Sequence, residues 1–455
     1  MPDVIVIGGG ISGLTAAWDL HAKGMDVLVL EASETPGGNV QTIQMGDYRM
    51  EAGPSSFMGS SENLWRLVEE LQIEELSEAA SSVSDNRYIY RDGRLMALPL
   101  GPMSFLTTKL LSLRAKLRLM MEPFIPNGAK EHDTAWEYFI RRFGVEAATF
   151  IMGPFISGVY AGDPKMLGAR AAFPKFWNFE RNSGSMILGA IKFMREKKKR
   201  LALEGKVYRK GLYSFDGGLG TLTNTIADRL GQRVIAHAPV SKLGKNGKGF
   251  EVMSSAGQWH APNVVVATPP HITADIAGDV TSGIVKPLRE IPMSPVSVVH
   301  WAHEDDPRVF PNGFGYLMPR IYDLRVLGTI FGSNLFMRRA PEGKRLFTSF
   351  YGGMLDPGAM NLSDEELSGT LRSESSRVFG ASLDRAEILS IMRYPGGIPQ
   401  LLPDHPERIQ IVQREVEKVP GMVLAGNYLT GVGIEHAVAS GYTAADAITK
   451  LHSGS

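Results

Sequence analysis

Gly8, Gly10 and Gly13 stand in a G-x-G-x-x-G run, and an acid, Glu31, follows eighteen residues after the third glycine. This spacing suits a dinucleotide. The first glycine permits a tight turn, the second lets backbone approach a pyrophosphate, and the third lets a helix pack closely on a strand. The helix N-terminus then offers free N–H groups to phosphate, and the acid accepts hydrogen bonds from a ribose. The competing reading is a tight turn with no ligand. The surrounding text sets it aside, because a strand, a helix, a second strand and the terminal acid all fall in place.

Those elements are legible as a βαβ unit. Val4 to Gly8 is an apolar run ending in glycines, Leu14 to Lys23 reads as a helix closed by Gly24, and Val27 to Leu30 is a second apolar run. Near the other end, a strand at Met422 to Ala425 leads through a glycine-rich turn into a helix from Ile434 to Leu451. That helix is placed to turn its positive end toward a cofactor ring. Between them the text is mainly helical from about 96 to 195, with helices predicted over Phe105 to Met121, Thr134 to Arg142 and Met186 to Leu203. It turns β-rich later, at Val234, Val240, Phe250 to Met253, Val264 to Ala267, Val296 to Trp301, Gly315 to Met318, Val326 to Phe331 and Leu346 to Tyr351. A helix is predicted at Asp364 to Phe379.

The 455 residues are too many for one core. Lys plus Arg and Asp plus Glu each count 48, so net charge gives no pull toward nucleic acid. The absence of cysteine excludes disulfides, thiolate chemistry and a flavin tethered through cysteine sulfur. No metal is expected: the histidines form no H-E-x-x-H pattern, and His436 reads as packing near the last helix. No G-x-S-x-G elbow occurs. No run of 18 apolar residues suggests a transmembrane helix, and the immediate first strand leaves no room for a leader, so a cytoplasmic protein is expected.

Several segments carry a resemblance. Glu31 followed by Gly37-Gly38, and Leu424-Ala425-Gly426-Asn427-Tyr428 followed by Gly431 and Gly433, resemble the two flavin-contacting segments of the amine oxidase and carotenoid desaturase superfamily. Within it the chain most resembles oxygen-dependent protoporphyrinogen oxidase. The carrying segments are Gly53-Pro54-Ser55-Ser56-Phe57, Asn86-Arg87-Tyr88, Ser157-Gly158-Val159-Tyr160-Ala161-Gly162-Asp163, Ser214 to Leu219, Gly313-Phe314-Gly315, Leu335-Phe336 with Arg339-Ala340-Pro341, and Ile398-Pro399-Gln400. Ser55 stands where the family usually has Asn, Leu401 where Tyr is common, and Asp404-His405 where Gly-His is common.

The resemblance implies an α/β fold: a Rossmann-like FAD-binding domain (1–60, 217–285, 405–455), a β-rich substrate domain (61–95, 196–216, 286–404) and an inserted helical, membrane-associating domain (96–195). It implies six-electron oxidation of protoporphyrinogen IX to protoporphyrin IX, with oxygen reoxidising the flavin to give hydrogen peroxide. FAD, held non-covalently, would contact Gly8, Gly9, Gly10, Ile11, Ser12 and Gly13 in the turn, and Glu31 and Ala32 after the second strand. Further contacts would come from Gly38, Asn39, Gly53, Pro54 and Ser55, then Val240, Thr268 and Tyr394, and finally Asn427, Gly431 and Val432. Arg87 would anchor a propionate, Leu317 and Phe336 would sandwich the macrocycle, and the Gly158 backbone would approach it and orient a pyrrole N–H. No side-chain acid or base is nominated. Arg91 and Arg94 read as solvated.

A peripheral membrane contact is expected of a stripe, Leu106, Leu110, Leu113, Leu117 and Met120, flanked by Lys109 and Lys116 on one side and by Arg114 and Arg118 on the other. The resemblance also admits a homodimer. Alternatives stay open at this point: coproporphyrinogen III oxidation, an amine oxidase or desaturase, or a flavin-fold binding protein without turnover.

Overall fold

In the computed structural model, which describes residues 1–204, 209–247 and 249–453, the glycine turn sits at the centre of a five-stranded parallel sheet. Strand β1 (Val4–Ile7) is buried along its whole length, as a parallel strand covered on both faces must be. It pairs with β2 (Val27–Leu30) on one side and with Asn263–Val266 on the other. Val234–Ile235 and Met422–Leu424 complete the edges. Helix α1 (Ile11–Ala22) joins β1 to β2. The final helix, Ile434–Ser453, lies against α1 so closely that a Cβ on Gly441 would stand 2.4 Å from the Ser12 carbonyl oxygen.

A second, seven-stranded sheet carries the other wall of the site. Its order is Glu387–Pro399, Met293–Glu304, Lys344–Gly352, Gly328–Ile330, Gly315–Leu317, Arg87–Arg91 and Arg94–Ala97. Alternation along Met293–Glu304 separates its faces. Val299 and Trp301 enter an aromatic core, where Trp301 stacks on Phe347 at 4.2 Å between ring centroids. Val296 and Val298 point the other way, into a cavity. The helix Asp364–Phe379 covers the aromatic face and begins with a Ser363–Glu366 capping box.

The inserted region is helical. The predicted helices near 134 and 186 form as Ala135–Phe143, capped by Thr134, and Met186–Leu203. A domain boundary at 195 would fall inside the latter helix, so the helical region extends through Leu203. One helix over Phe105 to Met121 does not form. Two do, Pro102–Thr107 and Leu113–Met120. The Ser112 hydroxyl accepts from Ala115 N–H and starts the second helix afresh. Leu110, expected on the exposed stripe, is fully buried, and the Lys116 ammonium binds the Leu106 carbonyl. Deeper in this region the buried Arg142 guanidinium bonds Glu122 at 2.7 Å, and Glu122 also accepts from Ser185 and Met186. These bonds satisfy a charge pair buried away from solvent.

Candidate active site

One cavity of about 1090 Å³ runs from the glycine turn to the face of the seven-stranded sheet that carries Val296 and Val298. That volume exceeds the usual range for a single small ligand, roughly 300–1,000 Å³, and leaves room for a dinucleotide and a second molecule. Gly8 turns with φ +103°, a conformation that favours glycine. A Cβ on Gly13 would stand 2.0 Å from the Gly8 carbonyl oxygen, so helix and turn touch. Gly10, by contrast, faces open space, with nothing within 4 Å of a built Cβ. It is the N-cap of α1, whose first turn carries no acid. The gap in front of Gly10 thus leaves the first N–H groups of α1 open to an anion.

Of the residues expected at the cofactor, Gly8, Gly10, Ile11, Ser12, Glu31, Ala32, Gly38, Asn39, Gly53, Pro54, Ser55, Val240, Thr268, Tyr394, Asn427 and Val432 line this cavity. Three expected there do not. Gly9 lies behind the turn and donates its N–H to Glu31 Oε2 at 2.6 Å. Gly13 is the helix-packing contact, and Gly431 makes room for the His436 ring, 2.9 Å from a built Cβ. Glu31 Oε1 accepts from Ser33 N–H at 2.7 Å. A carboxylate has about four acceptor positions, so two remain for ribose hydroxyls. Tyr394 donates its hydroxyl to the Ala52 carbonyl at 2.8 Å, tying the large sheet to the segment after the glycine turn. Burial pushes that phenol up to about 12. Near the last turn, His405 Nε2 lies 2.7 Å from the Tyr428 carbonyl, and burial holds the imidazole down to about 4, so it is the neutral N–H donor.

The substrate side is mainly apolar. Gly158, in the helix Gly153–Val159, packs on Leu317, whose Cδ2 would meet a Cβ at 2.3 Å. Both line the cavity. Arg87 lines it too, with its guanidinium 5.2 Å over the Phe314 ring. Phe336 does not: it is buried beside Arg339, 5.3 Å from that guanidinium. Arg339 belongs to a buried cluster, bonded to Glu51 at 2.7 Å and to Ser214 at 2.9 Å, so Phe336 serves packing between segments. Other aromatic side chains line the slot, among them Phe155, Phe176, Phe314 and Phe350, and the sequence points to none of these four as a site residue. Phe314 stood in a quoted motif, Gly313-Phe314-Gly315, and the flanking glycines were its signal. Arg91 is not solvated. It bonds Glu146 at 2.9 Å and lies 3.9 Å over Phe150. Glu435, a further lining residue missed in the sequence, folds its carboxylate over Gly433, so the positive end of the final helix is already partly offset.

A family model described as flavin-containing amine oxidoreductase matches residues 11–449. The chain belongs to the flavin-containing amine oxidoreductase family. It is 28% identical over 484 residues to the mitochondrial protoporphyrinogen oxidase of Nicotiana tabacum, covering 98% of this chain and 94% of the relative. It is also 28% identical over 474 residues to the coproporphyrinogen III oxidase of Bacillus subtilis (strain 168), covering 99% and 98%. A crystal structure from Exiguobacterium sp. 255-15, provisionally named a protoporphyrinogen oxidase, superposes with TM-score 0.82 at 22% identity, over 99% of this chain and 98% of that one. This member of the family therefore has the mixed α/β architecture expected from its sequence and takes a flavin.

Proposed function

We propose that this flavoprotein binds FAD non-covalently and oxidises protoporphyrinogen IX to protoporphyrin IX, with oxygen as the final acceptor. The observation that carries the reading is the continuity of one cavity from the glycine turn to an apolar slot with a single cation. FAD fits the open gap at Gly10 and the free acceptor positions of Glu31. A covalent tether has no support: the chain has no cysteine, and no histidine lines the cavity among the described residues.

Bound there, the flavin supplies a two-electron acceptor for hydride leaving a bridging carbon of the macrocycle. The chain's own residues do the rest. Arg87 pairs with a propionate through its planar fork of donors. Leu317, seated on Gly158, sets one wall, and the aromatic faces of Phe155, Phe176 and Phe314 suit pyrrole rings. The Gly158 carbonyl orients a pyrrole N–H as its proton departs. The apolar walls exclude water. Six electrons and six protons leave the substrate in all, and three molecules of oxygen take them up as hydrogen peroxide.

Coproporphyrinogen III is the second reading, because the Bacillus subtilis relative is as similar as the tobacco one. Four propionates call for several cations, and Arg87 is the only Lys or Arg lining the cavity among the described residues. That favours protoporphyrinogen. Membrane docking belongs to the same proposal. No described helix is long and apolar enough to cross a bilayer, yet Met103, Leu106, Leu113, Leu117, Met120 and Phe124 are exposed on the helical region, beside Lys109 and Arg114. Such a surface suits a bilayer interface. The test of function is anaerobic mixing of the FAD-loaded protein with each porphyrinogen, following flavin bleaching and porphyrin fluorescence. Bleaching with protoporphyrinogen IX supports the reading, and no bleaching with either substrate defeats it.

A further inference from the structure

The order of the parallel sheet decides which half of a dinucleotide lies on which side of the glycine turn. Glu31 follows β2, and Gly426 follows Met422–Leu424. The strands between them all run parallel, so both residues leave the same edge of the sheet. Three strand spacings separate them, about 14 Å at roughly 4.8 Å each, with the glycine turn between. Glu31 takes the ribose of the adenosine half. With the pyrophosphate at Gly10, the flavin half is left to the far side, where Asn427, Val432, Gly433, Ile434 and Ala437 line the cavity.

The final helix reaches over that side. It runs parallel to α1, because Gly441 packs on Ser12 at the start of α1 and Asp446 meets Lys23 just past its end, at 2.7 Å. It begins at Ile434, seven residues before Gly441. At about 1.5 Å per residue it projects on the order of 10 Å beyond the start of α1. Glu435 is the second residue of this projecting end, and it lines the cavity. Its Oε2 lies 2.8 Å from where a Cβ on Gly433 would stand, so the carboxylate folds back over the first turn. Its nearest potential cation is His436 Nδ1 at 3.9 Å, and burial lowers the pKa of that imidazole and disfavours its charge. The cavity's one Lys or Arg among the described residues, Arg87, belongs to the other sheet. The flavin side thus carries a carboxylate and no fixed cation among the described residues.

We propose that Glu435 holds down the reduction potential of the bound flavin, by setting a negative charge beside the half of the cofactor that gains electrons. The inference rests on the FAD reading. Reduction adds two electrons and one proton to leave an anionic ring, or two electrons and two protons to leave a neutral one. A carboxylate in a water-poor cavity raises the free energy of the anionic form most, because like charges interact strongly there. A flavin held at low potential passes its two electrons more readily to oxygen, which takes up two protons with them as hydrogen peroxide.

The test is the midpoint potential of the FAD-loaded protein, from anaerobic reduction with dithionite beside a reference dye. Wild type is compared with Glu435→Gln, Glu435→Asp and Glu435→Asn. The potentials are expected to sort by charge and not by side-chain length: wild type and Glu435→Asp together, Glu435→Gln and Glu435→Asn higher. The expected rise is at least about tenfold in the binding of reduced over oxidised flavin, or about 30 mV for a two-electron couple. If Glu435→Gln folds poorly, Glu435→Asp against Glu435→Asn makes the same comparison at equal length. Potentials that do not rise when the charge is lost, or that sort by length, overturn the role of Glu435 and leave the FAD reading intact. A wild type that takes up no FAD overturns both.

Discussion

Gly10 and Gly13, three residues apart in the turn, should respond oppositely to the same substitution. At Gly13 a Cβ would lie 2.0 Å from the Gly8 carbonyl oxygen and 3.1 Å from Ala267 Cβ. The first obstacle is backbone, so α1 must retreat from β1 by more than an ångström. Overpacking of this kind costs typically 1–3 kcal/mol, and a backbone obstacle puts Gly13→Ala near the top, about 3 kcal/mol. At Gly10 nothing lies within 4 Å of the new methyl, and the backbone (φ −69°, ψ 171°) suits alanine. Gly10→Ala should change the stability of the flavin-free protein by less than about 1 kcal/mol, while placing a methyl where a phosphate must approach. Its flavin affinity should fall at least about tenfold, or 1.4 kcal/mol. Denaturant unfolding of the flavin-free proteins, with flavin titration followed by absorbance, separates the two effects. Wild-type flavin affinity in Gly10→Ala would refute the placement of the pyrophosphate. Unchanged stability in Gly13→Ala would refute the close packing.

Acid stability and membrane docking provide two more checks. His300 and His405 are buried, and burial holds both down to about 4 against an ordinary 6.5. The unfolded chain takes up those protons near pH 6.5 and the folded chain only near pH 4. Stability should therefore be full above pH 6.5 and fall as pH drops to about 4, by up to roughly 3 kcal/mol for each histidine. Denaturant unfolding at pH 7.5 and pH 5 measures this, and equal stability at the two would sink the account. Leu113 and Leu117 are 73% and 54% exposed. The double variant Leu113→Glu with Leu117→Glu should keep its circular dichroism and lose several-fold in cosedimentation with anionic vesicles. Undiminished cosedimentation would remove this helix from the proposed membrane contact.

The glycine turn was readable because its requirements are local: a φ near +103°, a close helix and a following acid all leave marks within about thirty residues. Other features were not local. The heptad-like recurrence from Leu106 to Met120 continues across a break, where Leu110 and Leu111 are buried and Leu111 packs with Ala115 and Ala147 of the helical region. The Ser112 cap was the available sign of the break. Phe336 was assigned to the slot from a motif, but its motif neighbour Arg339 turns inward to Glu51, and that contact joins residues 288 apart in the chain. Phe155 and Phe176 reach the slot only through the fold of the helical region. Glu435 looks like an ordinary first-turn acid until its carboxylate is seen bordering the cavity.

The parallel sheet joins β1 to Asn263–Val266 and only then to Met422–Leu424, and the cavity is walled by Gly426 to Glu435 as well as by the glycine turn. This order has a consequence during synthesis on the ribosome. The glycine turn is synthesised about four hundred residues before its opposite wall, Gly426 to Glu435. Until then Asn263–Val266 offers an unpaired strand edge, and a large apolar chamber stands open. Cofactor loading must follow release of the C-terminal helix, and nascent chains halted before residue 422 carry both an open edge and an unfilled chamber, the two features by which quality-control machinery recognises incomplete proteins.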